Sequence, residues 1–100
     1  MQPRKEKKLE VNQTRCGRWM VSIPFGLVAL FVENPETRKR YHSGTFEDVS
    51  DAEMVRDAAM HEAKVKAARV GGEAAPVRYR IAISGMYAVD REPEQALLYP

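Results

Sequence analysis

Leu27, Val28, Ala29, Leu30, Phe31 and Val32 put an apolar side chain on both faces of any strand that contains them. A strand with one solvated face alternates apolar and polar residues, so a strand without a polar face must be covered twice. Pro24 and Gly26 precede the run and Asn34-Pro35 follows it, which confines it to one short strand. It is also far short of the roughly 20 apolar residues that a bilayer-spanning helix needs. A chain of 100 residues has material for one core, and this run is either covered on both sides within it or meets a partner chain. A single helix can cover one face. The other face needs either residues 84–100 or a second copy of the chain. Leu27, Leu30 and Phe31 are therefore the expected protein-interface residues of a homodimer.

The flanking segments also read as β-structure. Leu9 and Val11 alternate with polar residues, and Thr14-Arg15-Cys16-Gly17 is a hairpin turn in which Gly17 can take positive φ. Trp19, Val21 and Ile23 then share one face, and Arg18, Met20 and Ser22 the other. Residues 33–36, Glu-Asn-Pro-Glu, form a turn, and residues 37–43 resume extended structure with a basic patch. In residues 77–83, Val77, Tyr79, Ile81 and Ile83 form an apolar face opposite Arg78 and Arg80. Between these strands lies one helix, expected over residues 51–70. Ser50 is its N-cap, Glu53 completes a capping box, and Gly71-Gly72 ends it. Its apolar positions are largely alanine, which lets the helix axis approach a sheet closely.

These elements predict an α+β fold in the order β-β-β-β-α-β. An antiparallel sheet of four to five strands would carry one long helix packed on one face. Residues 1–8 form a flexible basic arm, residues 9–84 a single domain, and residues 85–100 an irregular C-terminal tail that its aromatics can dock.

The net charge of +2 conceals a strong asymmetry. Residues 1–42 hold nine Lys or Arg against four acids, whereas residues 43–62 hold one Arg against six acids. A basic half suits a polyanion such as nucleic acid. Enzymatic chemistry finds little support. The sequence has no Gly-rich phosphate loop, no H-E-x-x-H and no C-x-x-C. One cysteine and two histidines leave no intrachain disulfide and no multi-Cys or His-rich metal site. Glu47, Asp48, Asp51 and Glu53 are explained by a helix N-terminus, which favours negative charge. The chain is expected to need no catalytic residue, cofactor or metal. Without an apolar leader or membrane span it is expected in the cytoplasm.

Three strings add a resemblance. They are Gly17-Arg18-Trp19-Met20-Val21-Ser22-Ile23, then Lys39-Arg40-Tyr41-His42-Ser43-Gly44-Thr45-Phe46, then Asp51-Ala52 through Val55, Asp57, Ala58 and Ala59. Together they resemble the plant ethylene-response-factor type DNA-binding domain and the related arm-type domains of phage integrases, over about residues 11–71. The chain departs from that pattern in a longer span between Trp19 and Gly44, in His42, and in the additional strand at 77–83.

The resemblance implies a phage or mobile-element DNA-binding module that meets duplex DNA through a basic β-sheet face. Arg18, Trp19, Arg38 and Arg40 carry over from its two basic strands. Lys39 adjoins them, and Arg4, Lys5, Lys7 and Lys8 of the arm lie within reach. The alternation gives Trp19 a second possible role, as a core residue beside Val21 and Ile23. The alternative function is a small phage-type inhibitor or adaptor. It would bind a host protein complex through its sheet edge and apolar strand.

Overall fold

The computed structural model describes residues 9–74 and 76–93. The chain forms β1 (Glu10–Gln13), β2 (Trp19–Ile23), β3 (Val28–Glu33), β4 (Arg40–Phe46), α1 (Val49–Arg69), β5 (Arg78–Ala82) and β6 (Gly85–Val89). The fold is α+β, as the alternation and helix signals predict. The strands, however, divide between two antiparallel three-stranded sheets, ordered β1-β2-β6 and β4-β3-β5, rather than forming one sheet of four or five.

The turns are those that local chemistry dictates. Gly17 has φ +87° and closes the β1–β2 hairpin, with the Thr14 amide donating to the Arg18 carbonyl at 2.7 Å. Between β3 and β4, the Asn34 side-chain oxygen accepts from the amides of Glu36 (2.9 Å) and Thr37 (3.2 Å). Such an Asx turn substitutes a side chain for a backbone acceptor. This loop extends through Lys39, so Arg38 and Lys39 belong to it rather than to a strand, as first expected.

β3 is covered twice, and both covers come from the same chain. One face joins Leu27, Ala29 and Phe31 to Leu9, Val21, Ile23, Ala82 and Val89, filling the space between the two sheets. The other face joins Val28 and Leu30 to Phe46 and Ala52, with Val49, Val55, Tyr79 and Ile81 packed around them. Leu27, Leu30 and Phe31 have 0 % exposure and offer no surface to a partner. The second cover was expected from a second subunit or from residues 84–100. It comes from β6, which lies within 84–100, together with β1 and β2. Residues 85–89 of the expected irregular tail are therefore a strand: Tyr87 and Val89 alternate inward, and Tyr87 meets Phe31 with ring centroids 5.4 Å apart. Residues 94–100 lie outside the described residues, as does the arm at 1–8.

The helix begins two residues earlier than expected. Its N-cap is Asp48, without a side-chain capping bond, so the Ser50–Glu53 capping box does not form. Starting at Val49 brings that side chain against the core, and burial outweighs an exposed cap. The C-terminus ends as the two glycines predict. The Gly71 amide donates to the Ala68 carbonyl at 3.2 Å, the Gly72 amide donates to the Ala67 carbonyl at 3.0 Å, and Gly71 has φ +74°. That pair of bonds is a Schellman motif. Ala52 is the one fully buried helix residue, so the C-terminal half of α1 runs along the surface.

Candidate anion-binding cleft

Core residues cover much of both faces of the β4-β3-β5 sheet. Arg80 reaches solvent from the middle of β5, and the other basic side chains of the sheet stand at strand ends. There they gather. A cleft of about 600 Å³ is lined by Arg18, Glu33, Asn34, Pro35, Arg38, Arg40, Arg78 and Ala88. Arg18 precedes β2, Arg38 comes from the β3–β4 loop, and Arg40 and Arg78 begin β4 and β5. Three of the expected nucleic-acid residues thus share one cavity. Arg78, which the sequence reading placed on a strand without a role, is the fourth guanidinium.

The register explains the grouping. Glu33 at the end of β3 is opposite Arg40 on one side and Arg78 on the other. Directly opposed residues of antiparallel strands have Cβ atoms about 5 Å apart. The Arg40 guanidinium takes the Glu33 carboxylate as its partner. It also lies over two rings, 5.9 Å from the Phe31 centroid and 6.0 Å from that of Tyr87. A cation held against ring faces in this way gains electrostatic stabilisation and loses freedom. Arg40 is thus a fixed part of the cleft wall.

Asp90, just past β6, ties the two sheets together at this end. Its side chain accepts from the Arg40 amide at 2.8 Å, and its own amide donates to the Arg40 carbonyl at 2.8 Å. Arg18 donates to the same carboxylate at 3.2 Å. The Arg40 amide bond, joined by the positive charges of Arg18 and Lys39, holds the Asp90 carboxyl below its ordinary range against the opposing effect of burial. The sequence reading missed Asp90 because no local pattern connects it to Arg40.

Charge in the cleft is therefore partly compensated. Arg18 and Arg40 have carboxylate partners, whereas Arg38 and Arg78 have no ion-pair partner among the described residues. Arg38 sits exposed on a backbone with φ +61°.

The other expected residues fall elsewhere. Trp19 is half-buried and packs against the inter-sheet core, the second of its two roles. Lys39 is exposed beside the cleft without lining it. Arg4, Lys5, Lys7 and Lys8 lie outside the described residues.

Cys16, His42 and His61 do not line the cleft. The exposed Cys16 thiol meets the Thr14 hydroxyl at 3.1 Å, and that hydrogen bond is the main cause of its lowered pKa. His42 meets the Thr45 hydroxyl at 2.8 Å. Among the described residues no group of three or more His, Cys, Asp or Glu could hold a metal, and no helix is long and apolar enough to cross a membrane. Comparison with known proteins found no matching family model, curated relative or solved structure, so the cleft is interpreted from its own chemistry.

Proposed function

We propose that this chain is a small non-enzymatic nucleic-acid-binding module of the phage or mobile-element kind, with duplex DNA as its expected ligand. The observation that carries the reading is the convergence of Arg18, Arg38, Arg40 and Arg78 on one cleft, two of them without an ion-pair partner among the described residues. Arginine forks match the oxygens of phosphate groups, and a rigid wall with spare positive charge attracts a polyanion before contact. The strand-end position favours phosphate contacts over base reading by a sheet face. Phosphate contacts fix position and dominate affinity but carry no sequence information.

The test is a titration of wild type and an Arg38→Ala, Arg78→Ala double variant against duplex and single-stranded DNA, repeated across salt. Affinity should fall steeply with salt for wild type. The double variant should lose about two units of the log–log salt slope, one for each phosphate contact removed. Absence of wild-type binding to either form at low salt would falsify the reading.

A second reading, a protein-binding adaptor, is favoured by the opposite end of the sheets. Ile23 pairs with Gly85, so the β2–β3 turn and the β5–β6 connection lie together. Phe25, Ile83 and Met86 are exposed there at 92 %, 60 % and 68 %. Exposed large apolar groups at one end suit a protein partner.

A further inference from the structure

We propose that the arginine cleft is a receptor for a phosphate monoester, the terminal phosphate of a nucleic-acid strand or of a mononucleotide, rather than for the internal phosphodiesters along a chain. The inference rests on the nucleic-acid reading only for the strand-end source; the cleft chemistry stands apart from it.

Two independent observations point to it. The first is charge. Four guanidiniums line or flank the cavity, and the Glu33 and Asp90 carboxylates compensate two of them. The surplus is two positive charges, held by Arg38 and Arg78. A phosphate monoester carries about −1.5 to −2 at neutral pH and presents three acceptor oxygens. An internal diester carries one negative charge and presents two free oxygens. A monoester therefore matches the surplus charge of the two guanidiniums that have no ion-pair partner among the described residues, and a diester would neutralise only half of it.

The second is shape. A cavity of about 600 Å³ falls within the range of roughly 300–1,000 Å³ typical of small-molecule sites. Such a space has room for a nucleotide or for the end of a strand. Glu33, opposite both Arg40 and Arg78 in register, adds a selective element. Its carboxylate is engaged by Arg40, and Arg78 has no ion-pair partner among the described residues.

The experiment is calorimetric titration of the whole chain with one oligonucleotide sequence in three forms: 5′-phosphorylated, 3′-phosphorylated and unphosphorylated. Adenosine monophosphate, adenosine and a poly-glutamate peptide serve as further ligands. At least one phosphorylated strand should bind roughly tenfold to a hundredfold more tightly than the unphosphorylated one. Adenosine monophosphate should compete where adenosine does not. Arg38→Ala with Arg78→Ala should erase the preference. Arg38→Lys with Arg78→Lys, which keeps the charge but not the fork, should recover only part of it. The far-ultraviolet spectrum of each variant should match wild type, since both residues are exposed.

Equal binding of phosphorylated and unphosphorylated strands would overturn the monoester site and leave the nucleic-acid reading intact. Binding of adenosine monophosphate without binding of any strand would uphold the site and remove the nucleic-acid reading. Displacement of the nucleotide by poly-glutamate at equal affinity would overturn the site in favour of an acidic protein partner.

Discussion

Arg38 places a guanidinium where the backbone favours glycine. Its φ of +61° is the left-handed region, which costs a non-glycine residue about 1 kcal/mol or somewhat more. Arg38→Gly should therefore stabilise the fold by about 0.5–1 kcal/mol in a urea titration while weakening anion binding. A loss of stability would show that the side chain makes a contact outweighing the strain. Asp90 behaves in the opposite sense. Its carboxyl is held below its ordinary value of about 3.9, so its contribution is complete above that pH and fades as pH falls through the lowered folded-state pKa. Asp90→Asn should cost about 1 kcal/mol at neutral pH, and the gap should narrow as pH falls below about 4. A gap unchanged at pH 3 would mean that charge is not what Asp90 supplies.

At the scale of the element, α1 shows two kinds of end. Its C-terminus is made by bonds that require Gly71 in the left-handed region, while Gly72 takes no positive φ. Gly71→Ala should lower stability by about 1 kcal/mol although open space surrounds its Cβ position. Gly72→Ala should change it by no more than a few tenths of that. At the N-terminus the capping side chain expected at Ser50 is not used, so Ser50→Ala should fall within about 0.5 kcal/mol of wild type by thermal melting. A loss near 1 kcal/mol would restore Ser50 as the cap. The helix start was legible to within two residues. It shifted because Val49 has a core to enter, and that core is built by strands distant in sequence.

Across the whole molecule, β3 is the layer shared by two cores. Phe31 faces the space between the sheets, and Leu30 faces the helix. Truncating Phe31 to Ala should cost about 3–5 kcal/mol, a large part of the 5–15 kcal/mol that holds a domain of this size. Leu30→Lys should unfold the chain, seen as loss of near-ultraviolet signal, because it buries an unpaired charge. A folded variant with a reduced apparent mass would instead mean that Leu30 lies in a subunit interface.

The amino-acid sequence by itself determined what depends on neighbours along the chain. Gly17 and Asn34 set turns through their own conformational and hydrogen-bonding properties. Two glycines stopped the helix, and an unbroken apolar run required a strand with two covers. Alternation showed which residues share a face, but it carries no information about which strand lies beside which. Pairing is a long-range choice, made when β6 joined β2 and β5 joined β3. That choice turned one expected sheet into two and supplied the second cover for β3 from within the chain. It also placed Arg78 opposite Glu33 and brought Asp90 to the Arg40 backbone, so four arginines that look scattered in sequence meet in one cleft. The physical reason is that burying both faces of β3 constrains the packing of all six strands together, whereas turns and caps are settled within a few residues.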